Sequence, residues 1–121
     1  MSRHDRGRRL RASALEFVET SIPVIRHAIR DRIGEAYDVR QSLGMVANLL
    51  IRYSLESPTD SAGRQALAIE IEAAKAAFDQ MLNARGLWWN PSESQVGVSI
   101  RLLSTEVAKI VAQLRETDGL G

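Results

Sequence analysis

Apolar residues recur at spacings of three and four along most of this chain, the period of helices that turn one face to a core. Leu10, Ala14, Phe17, Val18, Ile22, Ile25, Ile29 and Ile33 form the first series and predict a helix that starts near Arg8. Pro23 falls inside it. Proline lacks an amide donor and crowds the carbonyl four residues earlier, so the helix either kinks there or a second one opens after Ser21. The apolar phase holds across the proline, which favours a kink, with Gly34 as the stop. Val39, Leu43, Val46, Leu50 and Tyr53 mark a second helix, from near Asp38 or Ser42 to Glu56. Met45, Leu49 and Leu55 widen its apolar surface, as in the central, most buried helix of a bundle.

Ser57-Pro58-Thr59-Asp60 breaks the pattern and offers Asp60 or Ser61 as the next N-cap. A third helix is predicted over 62–85, with Leu67, Ile71, Ala74, Phe78, Met81 and Leu82 on one side and alanines filling much of the rest. Arg85-Gly86-Leu87 reads as a glycine C-cap followed by an apolar residue folding back. After Trp88 and Trp89, Asn90-Pro91-Ser92-Glu93 has the order of a capped helix start, proline in the first turn included. The fourth helix then runs to about Thr117. Val96, Ile100, Leu103, Val107, Ile110 and Leu114 line up along it as a heptad seam, which buries within the bundle or against a second chain.

Short connections between long amphipathic helices predict an all-α fold, an antiparallel bundle of four to five helices depending on Pro23. At 121 residues there is room for one core. Residues 1–7 read as a flexible basic tail, 8–117 as a single helical-bundle domain and 118–121 as a C-terminal tail.

Chemistry is sparse. Without cysteine there is no disulfide framework and no thiolate metal site. The two histidines, His4 and His27, match neither a zinc-peptidase motif nor the Glu-x-x-His pairs of a di-iron bundle. Glu70 and Glu72 point about 200° apart on a helix and cannot share a proton or ion. Glu16 and Glu19 share a face but have no partner ligand in view. No serine sits in a nucleophile elbow. The expectation is a protein that is not an enzyme and uses no cofactor and no metal. The first residues are arginine-rich with no apolar run, and no apolar stretch approaches a bilayer span, so a cytoplasmic location is expected.

Charge sharpens the picture through its distribution. The net charge is only +1, yet nine arginines face six acids over residues 1–40, and the remainder is net negative. Arginine outnumbers lysine fourteen to two. A GC-rich coding sequence accounts for that bias; so does phosphate recognition, which the planar guanidinium fork suits better than an ammonium. Arg3, Arg6, Arg8, Arg9 and Arg11 cluster at the start, and Arg26 and Arg30 lie one turn apart, with His27 and Arg32 on neighbouring faces. Arginines at helical spacing can each meet a successive phosphate and bind without sequence preference. Arg8, Arg9, Arg11, Arg26, Arg30, Arg40 and Arg52 are therefore candidate nucleic-acid contacts, with Arg64 and Arg101 as extensions. Trp88 and Trp89 are candidate partner-binding residues: adjacent tryptophans stack on bases, anchor a partner protein, or plug the open end of a bundle.

Taken together, a compact helical bundle of this length, with no active site and with Arg26, Arg30 and Arg40 along its amino-terminal half, resembles the small helical subunit of multi-subunit (class 1) CRISPR effector complexes. The likeness covers the whole chain as architecture and rests on no motif, so no functional residue transfers from the family. It implies several copies packed side by side along a ribonucleoprotein, contacting guide RNA or target strand beside other subunits, with no nuclease activity and no small-molecule substrate. The rival reading is a helical adaptor of phage or plasmid origin that docks on a host protein through Trp88, Trp89 and the fourth helix. A helix-turn-helix regulator fits less well, because the third helix is acidic (Glu70, Glu72, Asp79) and a major groove would repel it.

Overall fold

The computed structural model describes residues 3–34, 36–86 and 95–116, and among them every regular element is a helix. These are α1 (Arg3–Ile33), α2 (Tyr37–Leu55), α3 (Ser61–Ala84) and α4 (Gln95–Arg115). α1 packs against α2 and α4, and α3 against the same two, while the diagonal pairs do not approach. The four therefore form a square, with sequence neighbours antiparallel across short connections. No helix is central. The broad apolar surface of α2 does not mark a buried core helix, because Met45 and Leu55 face outward, 56% and 70% exposed.

The core is the set of residues that the spacing selects. Ile22, Ile25 and Ile29 of α1 meet Val39, Leu43, Val46 and Leu50 of α2, Leu67, Ile71, Phe78 and Leu82 of α3, and Leu103, Ile110 and Leu114 of α4, all buried. Each such side chain contributes about 1.5–3 kcal/mol when fully removed from water. The seam of α4 from Leu103 to Leu114 is thus spent inside the bundle, with Ile100 half-buried at its edge. No described helix is long and apolar enough to cross a membrane.

Helix ends follow local rules. Gly34 takes φ 63° and donates its amide to the Arg30 carbonyl at 2.8 Å, a left-handed stop that side-chain-bearing residues rarely adopt. Asp60 caps α3 by accepting from the Gly63 amide at 3.1 Å. Gly86, at φ 65°, follows the end of α3. The Asn90-Pro91-Ser92-Glu93 signal lies outside the described residues.

Two features of α1 bear on its length. The helix runs unbroken through Pro23, which is exposed, so water can reach the carbonyl that the proline leaves without a donor. It also begins at Arg3, so most of the expected tail is helical. The cause is tertiary. Arg6 donates to the Glu116 carboxylate just beyond α4, and buried Gly7 lies so close to α4 that a Cβ there would sit 3.2 Å from the Gln113 side-chain amide.

Candidate nucleic-acid interface

The arginines divide by what they touch. Arg6 pairs with Glu116, Arg52 with Glu70 at 3.1 Å, Arg85 with Asp38 at 2.8 Å, and Arg115 with Glu72. Each pair joins two neighbouring helices or their ends: α1 to α4, α2 to α3 twice, and α3 to α4. Exposed pairs of this kind contribute about 0.2–1 kcal/mol each, so they act as registry marks more than as stabilisers. The Asp38 carboxyl is held below its usual range, chiefly by its hydrogen bond from Arg85, with desolvation opposing and the Val39 amide assisting.

This partition sorts the candidate surface. Arg52, expected to meet phosphate, is tied to Glu70. Arg40 is half-buried on α2 and engages another group. Arg11 turns away from the outer face of α1 into a cavity at the end of the bundle, beside Tyr53 and Arg64. The seven candidates do not form one continuous strip.

What remains together is the outer face of α1. Arg8, Arg9, Arg26 and Arg30 are all exposed there. Arg8 and Arg26, eighteen residues apart, stand at the same azimuth after five turns, about 27 Å along the axis. Arg30 follows one turn on, about 40° round. Arg9, Arg26 and Arg30 make no ion pair or side-chain hydrogen bond among the described residues. Arg8 engages another group. Exposed Glu16 and Glu19 occupy the same face between the two arginine groups and divide it. His27 sits beside Arg26 and spans to Asp31 at 3.3 Å. The face is two basic patches separated by an acidic saddle.

Trp88 and Trp89 lie outside the described residues. The remaining apolar surface of α4 includes Val98 and Leu102, 43% and 48% exposed and one turn apart. Among the described residues no three metal-ligating side chains gather. The side chain that sequence reasoning passed over is Tyr53: it belongs to the core stripe of α2, but its buried hydroxyl has no hydrogen-bond partner among the described residues. Only the relative placement of three helices reveals that. Comparison of the chain with protein-family models, with curated proteins and with solved structures returned no match.

Proposed function

We propose that this chain is a non-catalytic subunit that lays the outer face of α1 against a nucleic-acid backbone within a ribonucleoprotein, in the manner of the small helical subunits of class 1 CRISPR effectors. The observation that supports it is the pair Arg26 and Arg30. Both are exposed, they share a face one turn apart, and neither has an acidic partner among the described residues, while Arg52, Arg85 and Arg115 are clipped to carboxylates. Together with Arg9 they offer a contact to about three phosphates, with the patches about 26 Å apart along the axis of α1. The Glu16–Glu19 saddle would repel a backbone lying flush along the whole helix. The reading therefore has the duplex touch α1 at its two ends.

The test is fluorescence anisotropy with labelled duplex RNA across a salt series. About three phosphate contacts predict a slope of log K against log salt near −3, falling to about −1 in the Arg26→Ala/Arg30→Ala variant. Binding that is indifferent to salt, or unchanged by the double substitution in a well-folded protein, overturns the proposal. A second reading, a protein-binding adaptor, is favoured by the exposed Val98 and Leu102 on α4. It predicts salt-insensitive capture of one protein, abolished by Leu102→Lys.

A further inference from the structure

A cavity of about 630 Å³ opens at the end of the bundle where α1 begins and α4 finishes. Its size lies within the range of about 300–1,000 Å³ typical of small-molecule sites. All four helices contribute: Arg11 from α1, Tyr53 and Leu55 from α2, Arg64 from α3 and Gln113 from α4, with Pro58 from the connection between α2 and α3. The lining combines the polar side chains of Arg11, Arg64 and Gln113 with the apolar surface of Leu55 and Pro58.

The donors are arranged for an anion. Arg64 is steadied by the bond from its Nη to the Gln113 carbonyl at 2.7 Å and engages a further group, and a guanidinium carries five N–H groups in all. Arg11 makes no ion pair or side-chain hydrogen bond among the described residues. Tyr53 is 1% exposed, and its hydroxyl has no described partner. A buried hydroxyl left unpaired costs about 1–3 kcal/mol, so its presence among the buried residues calls for a reason. Arg11 and Arg64 are the cations that bear on this phenol. The opposing charge is Glu106, which lies outside the lining, is itself buried, and accepts from the Ser13 hydroxyl at 3.4 Å. Glu56 is exposed where it meets the cavity.

We propose that this cavity binds a phosphomonoester, its phosphoryl group seated between Arg11 and Arg64 and accepting from the Tyr53 hydroxyl and the Gln113 side-chain amide. Three oxygens and close to two negative charges match two guanidinium groups, a hydroxyl and an amide, whereas a carboxylate would leave donors unused. The cavity is larger than a phosphate needs. The organic body rests on Leu55 and Pro58, and its hydroxyls reach the Glu56 carboxylate. The Tyr53 hydroxyl is closed off from solvent in the ligand-free protein, so the anion reaches it only when a side chain of the lining shifts. Nothing in this depends on the outer face of α1, from which Arg11 is turned away.

Two sources carry this chemistry, a free nucleotide and the 5′ end of a nucleic-acid strand. Isothermal titration of the full chain with 5′-AMP, adenosine, a 5′-phosphorylated tetranucleotide and its 5′-hydroxyl twin separates them. The expected result is that at least one phosphorylated probe binds about tenfold or more tightly than its unphosphorylated twin, the worth of a charge-assisted hydrogen bond. Arg11→Gln weakens that binding by about tenfold and Tyr53→Phe by about fivefold, with unchanged helical circular dichroism. Arg26→Ala/Arg30→Ala leaves it intact, so failure here and failure of the α1 interface are read separately. Equal binding of adenosine and 5′-AMP with no preference for the phosphorylated strand, no binding of either phosphorylated probe at about 1 mM, or binding undiminished by both Arg11→Gln and Tyr53→Phe overturns the proposal.

Discussion

Replacing Tyr53 with phenylalanine should stabilise the ligand-free protein, an unusual sign for a change at a buried aromatic residue. Phenylalanine keeps the buried ring and removes only a hydroxyl with no described partner. No cavity larger than one oxygen is left, so the packing loss is small against the relief of an unsatisfied polar group, about 1–3 kcal/mol. For a domain of this size 1 kcal/mol shifts Tm by about 4 °C. The effect should also grow with pH. Burial pushes the Tyr53 phenol up to about 12, with Glu106 adding to the rise and Arg11 and Arg64 opposing it. A group whose folded pKa lies above its unfolded value, about 10 for tyrosine, contributes its full stability below that lower value and loses it as pH rises through the folded one. The wild-type protein therefore loses up to roughly 3 kcal/mol between about pH 10 and 12 through this residue, and the variant does not. Urea titrations followed at 222 nm, from neutral pH to pH 11, read both quantities. A variant less stable than wild type at neutral pH, with no widening gap at alkaline pH, would refute the reasoning by showing that the hydroxyl has a partner in solution.

Two further outcomes follow from the packing and the charge pairs. Leu103, fully buried in the α4 seam, should cost about 2.7–5 kcal/mol on change to alanine, and Leu103→Asp should prevent folding at room temperature; a native urea midpoint in either variant contradicts its place in the core. Asp38 has a folded pKa below its unfolded value, so its contribution is present above the unfolded pKa and fades as pH falls through the folded one; Arg85→Ala should flatten this acid limb of the stability curve, read by thermal melts from pH 6 to about pH 3.

How far each feature could be read from the sequence follows how local its cause is. The spacing of Ile22, Ile25 and Ile29, or of Leu103, Val107, Ile110 and Leu114, is a property of one helix, and these residues are buried as the period predicts. Gly34, Asp60 and Gly86 likewise act within a turn of themselves. The first helical turns of α1 escaped because their anchor, Glu116, is 110 residues from Arg6. The width of the α2 stripe misled for a related reason: in a square bundle no helix has neighbours all round, so an apolar Met45 or Leu55 stays at the surface. Arginine counts alone were silent on pairing. Arg52 is drawn to Glu70 only because α2 and α3 lie side by side, and the acids on the face of α1 matter only once its outer side is known.

The contrast between clipped and unclipped arginines also bears on why Arg26 is where it is. Two arginines one turn apart repel each other by a few tenths of a kcal/mol, and a glutamate at either position would reverse the sign. The neighbouring His27–Asp31 contact shows that α1 accommodates a polar side-chain contact at that spacing. Arg30 has a structural reason, since it lies in the last turn of α1, where positive charge complements the helix dipole. Arg26 lies too far from the end to gain from the dipole, is exposed, and makes no described pair, so stability gives no account of it. An external anion does give one, because a bridging phosphate between two guanidinium groups converts their repulsion into a bidentate contact. The functional reading of the α1 face thus rests on Arg26 more heavily than on any arginine whose presence the fold already explains.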